Sequence, residues 1–172
     1  MHKTLPGGLY DTDFVSWSEQ QAAALREARY ADLDLPNLSE EIEALARSDR
    51  RELRSRLTAL EMHLLKFEYQ PERATRSWLS TIVEQAAKIT ELLRESPTLN
   101  GEVLTNAIVD GYADGRRQAS AETGVPLDRF AEKPTPAFGD KIQAALWGRD
   151  FGGEEIVRQA ELARRGRRAR RR

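Results

Sequence analysis

His63 is the one histidine beyond the first two residues of this 172-residue chain. Its ordinary titration near neutrality makes it the natural general base or metal ligand, if the chain carries out chemistry at all. In an antiparallel helical hairpin turning near Pro71, the residues level with His63 are Trp78 to Thr81, with Arg76, Glu84 and Gln85 as outer polar neighbours. A small metal-assisted hydrolase would take Glu84 or Glu61 as its carboxylate and Arg76 as its anion clamp. The plainer reading is a core histidine satisfied by its surroundings, because His63 sits at the edge of an apolar stripe with Leu60, Leu64 and Phe67.

Glu40, Glu41 and Glu43 offer oxygen ligands of the kind that suit magnesium, calcium or manganese, and Glu40 and Glu43, three apart, share a helical face. Against this stands the preference of acidic residues for the first turn of a helix, with Glu40 closing a capping box on Asn37. Glu40 and His63 are separated by 23 positions, roughly 35 Å along one helix, so they do not share a site. Asp110 and Asp114 form a weaker carboxylate pair, and Arg73 and Arg76 beside Trp78 a weak anion or base cradle. Arg50, Arg51, Arg54 and Arg56 alternate with Asp49, Glu52 and Glu61, the pattern of a solvated face laced with ion pairs. A glycine-rich phosphate loop, a metalloprotease helix motif and a nucleophile elbow are all lacking in the sequence.

The absence of cysteine rules out a disulfide framework, a thiolate metal site and a cysteine nucleophile. A net charge of −1 conceals a strong asymmetry. Arg164, Arg165, Arg167, Arg168, Arg170, Arg171 and Arg172 crowd the last nine positions, and without them 20 basic face 28 acidic residues. Such a run neutralises phosphates and makes binding salt-dependent, so these seven arginines are the candidate nucleic-acid contacts. They can equally dock on an acidic protein surface, another copy of this chain included, or stay solvated.

The elements that must carry these residues read as helices throughout. Phe14, Trp17, Gln21, Ala24 and Leu25 mark a first amphipathic helix, capped by Asp11 or Thr12 and ending about Glu27. A long second helix is expected from Leu38 to Tyr69, with Ile42, Leu45, Leu53, Leu57, Leu60, Leu64 and Phe67 on its apolar face and Pro71 as its stop. Trp78, Ile82, Ala86, Ile89 and Leu93 signal a third helix that ends before Pro97. Val103, Leu104, Ile108, Tyr112 and Ala119 signal a fourth that ends at Gly124, with Gly111 and Gly115 allowing a neighbour close. Residues 125–139 read as a loop, followed by short helices over Asp140–Trp147 and Glu154–Arg165 and a disordered arginine run. The fold class expected is all-α, a helical bundle built on a long-helix antiparallel hairpin, with short C-terminal helices and a basic tail.

Five linked segments carry a resemblance: Asp11 through Trp17, Asn37 through Glu43, His63-Leu64-Leu65-Lys66, Tyr69-Gln70-Pro71-Glu72-Arg73 and Ser77-Trp78. In this order and spacing the chain resembles the bacterial family called domain of unknown function 29 over about residues 8–134. The resemblance supports the helical reading and implies no reaction, substrate or cofactor. The organisation expected is a single four-helix core domain over 8–134, a short helical extension over 135–163 and a tail over 164–172.

Neither an apolar leader near Met1 nor a window of about 18 apolar residues is seen, so a cytoplasmic protein without a membrane span is expected. The leading functional expectation is a protein-binding or regulatory module with non-specific nucleic-acid or other polyanion contact through its tail, and no cofactor. The hydrolase near His63 is one alternative. A structural homo-oligomer, with Trp147 and Phe151 docking on a second copy, is the other.

Overall fold

The computed structural model describes residues 8–169. They form helices α1 (Leu9–Thr12), α2 (Phe14–Arg26), α3 (Leu35–Tyr69), α4 (Arg76–Glu95), α5 (Glu102–Thr123), α6 (Pro136–Leu146) and α7 (Gly153–Ala169), with no strand among the described residues. No helix among them is long and apolar enough to cross a membrane. Where a single domain is expected from length, the chain divides into two compact units, the first ending at Ser48 and the second beginning at Asp49. The backbone of α3 passes from one to the other.

In the first unit, α2 is capped by Asp13, not by Asp11 or Thr12. The Asp13 carboxylate accepts from the Ser16 N–H at 3.0 Å and the Ser16 hydroxyl at 2.6 Å. Trp17, Gln21 and Ala24 are buried, while Phe14 and Leu25, expected on the same face, are about half exposed. Asp34 gathers the unit together. Its carboxylate accepts from Trp17 Nε1 at 3.3 Å and Asn37 Nδ2 at 2.6 Å, and its own N–H donates to Gln21 Oε1 at 2.8 Å. Because Asp34 also accepts from the Asn37 N–H, α3 starts at Leu35, three residues ahead of the expected Leu38, and Asn37 lies inside it. Pro36 is compatible with this start, since a first-turn proline gives up only an N–H that has no helical partner.

The second unit is built on the α3–α4 hairpin. Ser96 Oγ donates to Asp49 at one end and the Phe67 and Trp78 rings meet edge to face at the other, so the two helices run antiparallel. Leu53, Leu57, Leu60, Leu64 and Phe67 of α3 and Ile82, Ala86, Ile89 and Leu93 of α4 are all buried, each large side chain contributing roughly 1.5–3 kcal/mol. Thr75 caps α4 through the Trp78 N–H, and Pro97 follows its end. Gly124, in the left-handed region at φ 72°, closes α5.

The C-terminal helices, expected as a short extension, pack into this same core. Phe138, Ile142 and Leu146 of α6 and Val157 and Ala160 of α7 are buried with the α3 and α4 residues. Thr135 caps α6 by accepting from the Phe138 N–H, with Pro136 at its first position, so α6 begins four residues before the expected Asp140. Helix α7 continues to Ala169, past the expected end at Arg165. Arginine is a good helix former, and cations favour a helix C-terminus, so Arg164, Arg165, Arg167 and Arg168 extend the helix instead of starting a disordered run. Arg170, Arg171 and Arg172 lie outside the described residues.

Helix α5 lies parallel to α3 and closest at Gly111 and Gly115. A Cβ on Gly115 would stand 3.0 Å from the Thr58 carbonyl oxygen and 3.1 Å from the Met62 nitrogen, both backbone atoms that cannot swing aside. Gly115→Val is therefore expected to force the two helices apart and lower stability by about 1–3 kcal/mol, read as a shifted midpoint in urea unfolding. An unchanged midpoint would refute this account of the seam.

Candidate functional site

The C-terminal end of α3 places His63 half-buried, with Nδ1 2.9 Å from the carbonyl oxygen of Ala59. This is a bond to the helix's own backbone. Burial pushes its imidazole pKa below the usual value, with the nearby Lys66 ammonium adding to the effect. Lys66 is 5% exposed, and its ammonium donates to Glu122 Oε2 at 2.5 Å while lying 4.3 Å from the centroid of the Trp78 ring. The charge is thus held between a carboxylate of α5 and the face of an α4 aromatic. Gln70 Nε2 donates to the Thr123 carbonyl at 3.0 Å, and the Tyr69 hydroxyl accepts from the Ala131 N–H at 3.3 Å. Together these bonds pin the end of α3 to the end of α5 and the loop after it.

The partners proposed for His63 are engaged elsewhere. Glu84 pairs with Lys88 on the exposed side of α4, and that hydrogen bond holds its carboxyl below the ordinary range. Arg76 reaches Glu154 and Glu161 of α7 at 3.5 and 3.6 Å. No hydrogen bond or ion pair joins either residue to His63 among the described residues. The hydrolase reading loses its anion clamp and one of its two candidate carboxylates, Glu84, with Glu61 as the other. Glu40 and Glu43 fare similarly. Glu43 pairs with Arg47 at 3.2 Å, Glu41 accepts from the Tyr10 hydroxyl at 2.6 Å, and Glu40 is exposed. With α3 capped by Asp34, Glu40 has no capping role. No group of three or more His, Asp or Glu side chains is placed to hold a metal among the described residues. Asp114 pairs with Arg54 and Arg117.

Two features escaped the reading of the sequence. Glu61, counted there among the solvated charges and as an alternative carboxylate beside His63, is fully buried, and neither of its oxygens has a hydrogen-bond partner. Its position, four after Leu57 and three before Leu64, is on the inner face, where Gly111 leaves the space it fills. A Cβ on Gly111 would meet Glu61 Oε2 at 2.7 Å. Burial pushes its carboxyl pKa up to about 9, so the group is a neutral acid at physiological pH. The second feature is on the first unit. Leu35, Ile42 and Leu45 of α3 are 63%, 66% and 69% exposed, although the periodicity that predicts the core includes the last two. Val15 of α2 is likewise 65% exposed.

At the other end of the chain, the Arg164 guanidinium donates to the Ala74 carbonyl at 2.7 Å, so the first tail arginine is part of the fold. Arg165 and Arg167 are exposed, and no acidic side chain pairs with them among the described residues. Trp147 is exposed and donates to Gln143, whereas Phe151 is partly buried against the core.

The described residues define an all-helical protein with a bundle built on the α3–α4 hairpin. The family model described as domain of unknown function DUF29 matches residues 9–146, and the chain belongs to that family. The match takes in α6, beyond the residue-134 limit set by the motifs alone, and leaves α7 outside. No curated protein and no solved structure matches the chain. Several family-like motif residues have structural work here: Asp13 caps, Trp17 bonds Asp34, and Lys66, Tyr69, Gln70 and Trp78 fasten the end of α3.

Glu61 gives a pH signature. The folded protein keeps this proton up to about pH 9, while an unfolded chain releases it near the ordinary glutamate value of 4.5. The folded state binds more protons over that interval, so stability falls as pH rises through it, by at most about 1.4 kcal/mol per unit. The lowered pKa of His63 acts in the opposite sense, but only in the acid range below its unfolded value of 6.5. Urea unfolding between pH 7 and 9 is expected to show declining stability in the native chain and a flatter profile in Glu61→Gln. Equal slopes would remove Glu61 as the cause.

Proposed function

We propose that this protein is a protein-binding module whose first unit docks a basic, amphipathic helix of a protein partner. The observation that carries this reading is the exposure of Leu35, Ile42 and Leu45 on regular helix, where the matching positions of the second unit, Leu53 and Leu57, are fully buried. Positions 35, 42 and 45 are spaced by seven and three, which puts them on one side of α3. A strip of large apolar side chains left in water favours a partner that covers it. Charge selects the partner. Residues 8–48 hold nine acidic and three basic residues, and exposed Glu40 and Glu43 are interleaved with the apolar strip. A helix presenting leucine-like residues flanked by lysine or arginine satisfies both features.

The test is a photo-crosslinking amino acid at position 42, with one at exposed position 158 as control, in the cells that make the protein. A discrete crosslinked protein is expected from position 42 alone, attached through a basic amphipathic segment and lost when Leu45→Glu is added. No crosslinked protein, or the same products from both positions, would overturn the reading.

A non-specific polyanion contact through the arginine run is a second element of the proposal. It is supported by the seven arginines in the last nine positions and by the exposure of Arg165 and Arg167. Arg164 is excluded from it by its bond to Ala74. Replacing Arg165, Arg167, Arg168, Arg170, Arg171 and Arg172 with glutamine while keeping Arg164 is expected to flatten the salt dependence of double-stranded DNA binding by up to roughly five in log–log slope. Fluorescence anisotropy across salt measures this, and an unaltered slope would dismiss the tail as a contact.

A further inference from the structure

A groove of about 390 Å³ runs along the seam of α3 and α5, lined by Arg51, Arg54, Ser55, Thr58, Asp114 and Gln118. A second hollow of about 370 Å³ adjoins it, sharing Arg51 and Arg54 and adding Arg50, Asn106 and Asp110. We propose that this groove binds the phosphate monoester of a small, nucleotide-sized molecule, with Arg51 and Arg54 gripping the oxyanion and Ser55 and Thr58 donating to it. Nothing in the proposal depends on the apolar face of the first unit, since every lining residue belongs to the second.

Four observations point to such a ligand. Arg50 and Arg51 form no ion pair among the described residues. Arg54 donates through Nη2 to Asp114 at 2.7 Å, which fixes the guanidinium and leaves further N–H donors free. Asp114, the acid nearest the anion, is held by both Arg54 and Arg117, so its charge is offset where the phosphate would sit.

The fourth observation concerns Thr58. Thr81, Thr90, Thr105 and Thr123 each turn their hydroxyl onto the carbonyl four residues earlier, the usual resting place of a helical threonine. Thr58 is 7% exposed, lines the groove and makes no such bond. Its hydroxyl reaches solvent at the groove wall and has no partner within the protein, so it is free to donate there.

The scale of the site argues for one phosphate and not a strand. Arg51 and Arg54, three residues apart on one side of α3 and roughly 4.5 Å along its axis, are close enough to share a single oxyanion and too close to track successive phosphates. Planar guanidinium forks with hydroxyl donors suit the tetrahedral oxygens of a monoester, and the volume is in the usual range of about 300–1,000 Å³ for small-molecule sites.

The test is titration calorimetry of the full chain with adenosine monophosphate, with adenosine as the control that lacks only the phosphate. Saturable binding of the monophosphate alone is expected, weakened about tenfold or more by Arg51→Gln and severalfold by the near-isosteric Thr58→Val, and unchanged by Arg158→Gln on α7. Thermal melts confirm that the variants fold, which the exposure of Arg51 and the size match of valine both favour. Equal binding of the two probes, no binding of either, or no response to Arg51→Gln would overturn the proposal. So would Arg51-dependent binding of a single-stranded oligonucleotide without binding of the monophosphate.

Discussion

Close contact between α3 and α5 at Gly111 and Gly115 governs the second unit. With a side chain at either glycine, α5 would stand off from the backbone of α3, and the space now filled by Glu61 would be lost. The same approach lets Lys66 of α3 reach Glu122 of α5 and lets Arg54 reach Asp114, so the polar links on the outside of the seam follow from the glycines within it. Two helices locked side by side in this way give a firm floor on which α4, α6 and α7 can pack.

That firmness is obtained at a cost, because a carboxyl group without a partner is enclosed in it. An ionised Glu61 would need far more compensation than an apolar pocket offers, so the group stays protonated and its neutral oxygens are still left unsatisfied. Leucine or methionine at this position would be the simpler choice for a core. The contrast with Lys66 is instructive: that buried charge has a carboxylate and an aromatic face beside it, whereas Glu61 has neither.

Much of the architecture was legible in the sequence. Period-3.6 spacing located every long helix, and Pro71, Pro97 and Gly124 marked where three of them stop. What pattern alone did not reveal was which apolar faces are covered. Ile42 and Leu45 continue the spacing of Leu53 and Leu57, yet burial depends on whether another helix lies against them, a fact of tertiary structure. Asp34, two residues ahead of Pro36, could have signalled the earlier start of α3, but the capping-box pattern at Asn37 and Glu40 competed for the same role. Glu61 was misplaced because its charge suggested solvent while its spacing pointed inward. Loop-like composition likewise hid the first turn of α6, whose start at Thr135-Pro136 is a regular cap followed by a first-turn proline.

The bond from Arg164 to the Ala74 carbonyl joins residues 90 positions apart. A ribosome adding about 5–20 residues per second needs roughly 5–18 s to cover that distance. Within this interval α4 is made and completes the hairpin with α3 well before the side chains of α6 and α7 that complete its core. Ile82 and Ile89 are meanwhile without their full covering, and the nascent chain passes through a period of stickiness that the finished protein does not show.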